Sequence, residues 1–282
     1  MTTSLRLLVL LSLCVSLQAA KPLNFVLILV DDLGWMDLSC QGSKYFETPH
    51  LDRLASEGMR FTDAYAACAV CSPTRAAVQT GRYPGRLGVT DWMRSRFQGG
   101  AIPADKKNPS GYTGGRNRKL LVPKNALWME SSEVTIAELL KPAGYVSCHI
   151  GKWHLGRAAF YPEAQGFDVN VGGTYWGAPA TFFHPFRGPW SKTDPELRYV
   201  PVGTGKPGDY LTDKLTDHAL QFIDQQQANP FFLSLWFHTV HTPIEGKPKL
   251  VQHFQAKKPG KIHNHCDYAA MVASLDENVG RI

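Results

Sequence analysis

The sequence predicts an α/β protein with a mostly parallel central sheet sandwiched by helices. Three observations carry that expectation. Asn24–Val30 is a continuous apolar, β-branched-rich run, the pattern of a central strand buried on both faces of a parallel sheet. Tyr145–Ile150 and Asn229–Phe237 read as further strands, with helical patterns between the three. Each run ends in polar chemistry: Asp31-Asp32, Lys152 with His154, and His238-Thr239-Val240-His241. Open α/β sheets bind their ligands at that carboxyl edge, so one site there is expected.

The 282 residues suffice for one large core or two modest domains. A net charge of +6 and a pI near 9.0 admit nucleic acid, acidic membrane surfaces or anionic substrates. No zinc finger, RNA-binding signature or continuous basic helix is visible, so nucleic acid is set aside. A sulfated polysaccharide fits the basic balance as well. Residues 1–20 hold Arg6, an apolar run from Leu7 to Leu17 and then Gln18-Ala19-Ala20, a signal peptide with cleavage after Ala19 or Ala20. The run is too short to span a bilayer, so export without a transmembrane segment is expected, to a periplasmic, secreted or lysosome-like compartment. Cleavage removes Cys14 and leaves five cysteines, an odd number.

The elements follow in order. Asp31 and Asp32, at the end of the first strand, form a hard oxygen site for Ca²⁺, with Mg²⁺ as the alternative; a solvated turn is the competing reading. Thr48–Gly58 has a cap, Pro49 at the first helical position and a terminal glycine, a helix packing Leu51, Leu54 and Ala55 inward. Met59–Tyr65 is expected as a strand, completing a βαβ unit. Ala69–Arg82 then reads as a short helix with Pro73 in its first turn and Gly81 as its stop. Cys71 lies at its N-terminus, where backbone N–H groups and the helix dipole favour an anion, and Arg75 follows one turn on. That geometry suits a nucleophile acting on an anionic group. Cys68 and Cys71 also admit a disulfide or redox pair.

Asp91–Asn125 is rich in glycine and carries Arg94, Arg96, Lys106, Lys107, Arg116, Arg118, Lys119 and Lys124. It reads as a long loop beside the site, either gripping an anionic polymer or simply solvated. Thr135 and Glu138 form a capping box for a helix that halts near Pro142 and Gly144. Past the second strand, Lys152 and His154 share one side if the backbone stays extended; a lysine can hold a sulfate or phosphate oxygen and a histidine can transfer a proton. Gly166–Gly208 shows no sustained period and reads as an aromatic loop region beside a cleft. Tyr210–Gln226 and Cys266–Ile282 are amphipathic helices, the second burying Tyr268, Met271, Val272, Leu275 and Val279. His238 is read as a packing residue.

Three motifs carry a family resemblance. Cys71-x-Pro73-x-Arg75 precedes Thr80-Gly81-Arg82; Gly144-Tyr145 leads to Gly151-Lys152-Trp153-His154; and His241-x-Pro243 closes the third strand. Together these resemble the formylglycine-dependent type I sulfatases of the alkaline-phosphatase-like superfamily. The likeness runs from about residue 22 to 282 and covers the N-terminal portion of such an enzyme, so 21–282 is expected to be a catalytic domain incomplete at its C-terminal end. Gln79 stands where those enzymes usually carry an apolar residue.

The resemblance implies hydrolysis of an aryl or carbohydrate sulfate monoester to an alcohol and inorganic sulfate. It implies that Cys71 is oxidised to formylglycine by a maturation enzyme, and that Asp31, Asp32 and the modified Cys71 hold Ca²⁺. Arg75 and Lys152 would neutralise charge, His154 would orient or deprotonate the nucleophile, and His241 would bind the ester near its leaving oxygen. The expected partner is a sulfated small molecule or polysaccharide. Two rivals remain at this point: a phosphate or phosphonate ester hydrolase of the same superfamily, and an inactive secreted binding protein for sulfated glycans.

Overall fold

The computed structural model describes residues 22–93, 107–117, 119–189 and 198–282. The segment read as a signal peptide lies outside the described residues, as do Arg94, Arg96, Lys106 and Arg118 of the basic stretch.

A four-stranded parallel sheet forms the centre, in the order β1, β6, β4, β5. Strand β1 is Phe25–Leu29, β4 is Val146–Gly151, β5 is Val169–Val171 and β6 is Phe231–Trp236. In β6 alternate side chains serve opposite faces, as strand geometry requires. Phe231, Leu233 and Leu235 enter one buried cluster, and Phe232 and Trp236 enter the other. The first cluster is completed by α5 (Leu211–Gln225), α6 (Pro248–Ala256) and α7 (Cys266–Arg281). The second takes Ala76 from α2 (Cys71–Thr80) and Ala137 from α4 (Ile136–Leu140), with Trp153 and Leu155 from beyond β4. The sheet is therefore helix-covered on both sides, as predicted. No helix among the described residues is long and apolar enough to cross a membrane.

Several expectations are corrected by pairing. Among the described residues β1 is an edge strand rather than a central one, and Phe25 and Val26 are exposed. An apolar run encodes strand preference, whereas lateral position depends on which strands pair with it. Met59–Tyr65 forms no strand, and Met59, Phe61 and Tyr65 are exposed; its alternation has no ladder partner to satisfy the backbone. The chain thus goes from β1 through α1 (Pro49–Glu57) into α2 without an intervening strand. Leu54 of α1 faces solvent, while Leu51 packs on the core.

The Asp91–Asn125 stretch contains a two-stranded hairpin, β2 (Tyr112–Thr113) with β3 (Val122–Pro123), after a short helix α3 (Pro84–Leu87). Strand β5 lies inside the aromatic loop region, where its three residues gave no periodic signal. The capping box is present as read: Thr135 accepts from the Glu138 amide and Glu138 accepts from the Thr135 amide.

Candidate functional site at the carboxyl edge of the sheet

The polar ends of β1, β4 and β6 meet as expected, because parallel register brings Leu29 beside Trp236 and Gly151 on its other side. The chain leaving β1 is tied to the chain leaving β6 by two backbone bonds: Asp31 N–H donates to the Thr239 carbonyl (2.9 Å), and Val240 N–H donates to the Asp31 carbonyl (2.7 Å). Asp31 is thereby fixed inside the sheet edge, 4% exposed. Asp32 takes a left-handed backbone conformation (φ 57°), and its side chain emerges 58% exposed.

Cys71 is the first residue of α2, and Gly81 closes that helix in the left-handed conformation. Arg75, one turn along, is buried against the Trp236 ring (5.1 Å). Its Nη2 donates to Asp31 Oδ1 (2.8 Å) and its Nη1 to the Lys152 carbonyl (2.8 Å). Lys152 Nζ donates to the other oxygen of the same carboxylate. A cation–carboxylate–cation triad results, with all three side chains at least 96% buried. Burial alone would raise the carboxyl pKa of Asp31, but the charges of Lys152 and Arg75 outweigh it and hold the group well below the usual carboxylate range. Asp31 is ionised at any working pH.

The backbone past β4 does not stay extended, contrary to the condition placed on Lys152 and His154. Gly151 has φ 100°, and a Cβ there would sit 2.1 Å from the Trp236 carbonyl oxygen, so only glycine fits. His154 itself has φ 60°. The ring of His154 is buried, and its Nε2 pairs with the Met93 carbonyl (3.0 Å). Burial, reinforced by the charge of Lys152, drives the His154 pKa well below the ordinary histidine value, so the ring is neutral. Since a carbonyl only accepts, Nε2 carries the proton and Nδ1 keeps its lone pair; among the described residues no group donates to Nδ1. Ser72 clamps this arrangement: it donates to the His154 carbonyl (2.9 Å) and accepts from the Met93 amide (2.9 Å).

His241 is 22% exposed. Its Nδ1–H donates to the Thr242 carbonyl (2.7 Å), which leaves Nε2 facing Asp32 Oδ2 at 3.7 Å. Asp31, Asp32 and His241 each offer one ligand atom, all within 4.8 Å of one another. Hard carboxylate donors suit Ca²⁺ or Mg²⁺, so the donor set fits a divalent ion. Cys71, expected as a third ligand through its modified form, is not one of those three residues. The carboxylate of Asp31, expected as a metal ligand, is also the anchor of both cations.

Asp32, Cys71, His154 and His241 line one cavity of about 590 Å³, together with Trp92, Met93, Trp176, Gly177 and Arg198. Arg75 lines an adjoining cavity of about 240 Å³ that shares Asp32 and Cys71 with the first, and Lys152 is buried against Asp31. All five catalytic candidates and both carboxylates therefore belong to one constellation. Cys68 and Cys71 are both unbridged, so the disulfide alternative is not realised. His238 is buried as a packing residue would be. Burial pushes its pKa well below the ordinary value, and the Lys152 charge adds to that shift, so it packs directly behind the site.

Sequence reasoning missed Ser72, Gly177 and Arg198. Ser72 adjoins Cys71, but nothing in its type announces a clamp. A Cβ at Gly177 would lie 2.2 Å from His154 Cε1, so that glycine lets the loop close over the imidazole. A glycine in a Gly-rich loop gives no such signal. Arg198 and Trp176 come from the aperiodic aromatic region and reach the cavity only through the fold.

A parallel α/β sheet with a helix-borne cysteine, a buried cation triad and a carboxylate pair at its carboxyl edge defines an anion-handling site. The profile of the Sulfatase family matches residues 23–282, and the chain belongs to that family. N-acetylgalactosamine-6-sulfatase of Sus scrofa is 33% identical over 278 residues, covering 94% of this chain and 47% of the relative. Arylsulfatase A of Homo sapiens is 35% identical over 251 residues, covering 83% and 44% respectively. Among solved structures, Ps i-CgsB in complex with k-i-k-neocarrahexaose superimposes with a TM-score of 0.70 at 28% identity, over 93% of this chain and 54% of that one. The architecture is the alkaline-phosphatase-like one. The chain spans about half the length of the curated relatives it matches.

Proposed function

We propose that this chain carries the catalytic residues of an exported sulfate monoester hydrolase. Its substrates are aryl or carbohydrate sulfates and its products an alcohol and inorganic sulfate. The observation that carries the reading is the cavity in which Cys71, His154, His241 and Asp32 converge in front of the Arg75–Asp31–Lys152 triad, in a chain of the Sulfatase family. Residues 21–282 supply this catalytic portion, following a cleaved leader.

Two groups complete the site. Formylglycine, made from Cys71 by a maturation enzyme, supplies a hydroxyl nucleophile when present, and Ca²⁺ or Mg²⁺ at Asp31 and Asp32 supplies charge that draws the sulfate oxygens. The chain's own residues do the rest. Arg75 and Lys152 bring two fixed positive charges to the sheet edge and offset charge that builds on the sulfate oxygens. The Asp31 carboxylate holds both in place without a ligand. His154, neutral with its Nε2 proton on the Met93 carbonyl, lines the cavity and orients the nucleophile. His241, whose Nε2 faces Asp32 at the cavity wall, binds the ester near its leaving oxygen.

The test compares 4-nitrophenyl sulfate with 4-nitrophenyl phosphate, using chain expressed with the maturation machinery. The sulfate is expected to react faster, and Cys71→Ala to lose about a thousand-fold or more of that rate. Faster phosphate hydrolysis would move the chain to phosphate ester chemistry. Turnover of neither, with retained affinity for a sulfated glycan, would make it a binding protein.

A further inference from the structure

Among the described residues no hydrogen bond holds the Asp32 carboxylate, which meets His241 Nε2 at 3.7 Å. Its direction is therefore set by its backbone, which lies in the left-handed region (φ 57°). On one side that backbone is tied by the two bonds between Asp31 and the chain leaving β6. On the other side it is tied by Asp37.

Asp37 closes the turn after Asp32 twice over. Its amide donates to the Gly34 carbonyl (3.0 Å), and its Oδ2 accepts the Gly34 amide (2.9 Å). A Cβ at residue 34 would lie 2.6 Å from Asp37 Oδ2, so glycine lets the carboxylate come down on the backbone. The same carboxylate is gripped from its far side. Tyr268, in the first turn of α7, donates its hydroxyl to Asp37 Oδ2. His263, from the chain ahead of α7, places Nε2 3.5 Å from Asp37 Oδ1, with the two side chains 20% and 13% exposed.

The donors fix where the protons lie. Ser43 Oγ accepts the amides of Tyr45 (3.3 Å) and Phe46 (3.0 Å), which uses both of its lone pairs. Its own hydrogen then goes to His263 Nδ1 (3.1 Å), and the imidazole proton is left on Nε2, facing Asp37. Burial raises the Tyr268 pKa, and the bond to Asp37 and the charges of Asp37 and Asp32 raise it further, so the phenol stays a donor. Phe46 packs on both rings, stacked on His263 with centres 4.5 Å apart and tilted on Tyr268 at 5.5 Å. None of Asp37, His263 and Tyr268 lines the catalytic cavity. A partnered polar network of this kind specifies one geometry, which apolar packing alone would leave looser.

We propose that Asp37, gripped by Tyr268 and His263, is a positioning residue that aims the Asp32 carboxylate, so that the affinity of the Asp31–Asp32 site for a divalent cation depends on a side chain that touches neither cation nor substrate. This inference rests on the reading of Asp31 and Asp32 as the cation site of a sulfatase, which it deepens.

The experiment measures Ca²⁺ binding by titration calorimetry on the whole chain with Cys71 unmodified, so that turnover plays no part. The parent is compared with Asp37→Ala, the conservative Asp37→Asn and Tyr268→Phe. Leu250→Ala is the control, because it removes core packing from α6 without touching the Asp37 contacts. Thermal melts confirm folding. Asp37→Ala is expected to weaken Ca²⁺ binding about ten-fold or more, and Tyr268→Phe about three-fold. Asp37→Asn keeps an acceptor for Gly34 and Tyr268 and should recover most of the affinity. Leu250→Ala should lose stability yet stay within about two-fold of the parent in affinity. An unchanged affinity in Asp37→Ala, an equal loss in Leu250→Ala, or a parent without measurable affinity for Ca²⁺ would overturn the proposal. Should Asp37→Ala not fold, Tyr268→Phe decides alone, by showing its loss or lacking it. Turnover of 4-nitrophenyl sulfate by the matured parent separates the two readings. Ca²⁺ binding weakened as expected without turnover would contradict hydrolysis and uphold the positioning role. Turnover with affinity unmoved by Asp37→Ala would uphold hydrolysis and overturn that role.

Discussion

The two aspartates that follow β1 are adjacent in sequence and opposite in circumstance. Asp31 is 4% exposed and carries Arg75 and Lys152, whereas Asp32 is 58% exposed and faces His241. One half of the site is thus assembled by folding itself, and the other half stands open to whatever enters. The difference separates what the residues contribute to stability from what they contribute to chemistry, because a charge removed from a buried triad leaves its partners stranded in low dielectric.

The largest effect is expected from Asp31→Asn. It should destabilise the fold by about 3–5 kcal/mol, since two buried cations lose their counter-charge, and abolish turnover with it. Chemical denaturation measures the first and ester hydrolysis the second. A variant as stable as the parent would break the claim that Asp31 holds the cations.

Next in size is a pH effect from the buried imidazoles. Burial, helped by the charge of Arg75, lowers the His149 pKa to about 3, and His154 and His238 are also lowered well below the ordinary value. The unfolded chain binds protons near pH 6.5 while the folded chain does not, so stability is complete above about pH 6.5 and falls as pH drops below it. Each of these histidines costs up to ~1.4 kcal/mol per pH unit in that range. Thermal melts from pH 7 to pH 5 should show the decline, and His149→Gln should make it shallower. A flat profile would count against neutral imidazoles in the core.

The contrast between partnered and unpartnered buried groups recurs within α2. Arg75 has carbonyl and carboxylate acceptors, but neither polar atom of the Gln79 side chain has a partner among the described residues. Gln79→Leu should therefore stabilise the protein by about 1–3 kcal/mol, read from the denaturation midpoint. The smallest stability change belongs to Asp32→Asn, within about 0.5 kcal/mol because the side chain is solvated. It should nevertheless remove most of the turnover. Equal losses of stability in Asp31→Asn and Asp32→Asn would erase the distinction between the two halves.

What could be read from the sequence follows the same division. Cys71, Arg75, Lys152, His154 and the aspartate pair were legible because each closes a recognisable strand or opens a recognisable helix, and parallel topology sends all of those ends to one edge; His241 was singled out from His238 by the family resemblance alone. The apolar runs of β1 and β6 likewise predicted strands. They did not disclose that β1 would lie at an edge and β6 at the centre, since lateral order depends on pairing at long range. Met59–Tyr65 alternates like a strand and is not one, for want of a partner. Arg198, Trp176 and Gly177 were illegible individually: they lie in a stretch without period, and their role depends on a loop folding back over His154. Ser72 was hidden in plain view beside Cys71, since its two hydrogen bonds reach residues 21 and 82 positions away.

The most direct test of the central claim is the mass of the tryptic peptide Phe61–Arg75 from chain made alongside the maturation machinery. The expected peptide is about 18 Da lighter than the cysteine form, the change from thiol to aldehyde at Cys71. An unmodified thiol at Cys71 in chain that still hydrolyses sulfate esters would contradict that claim.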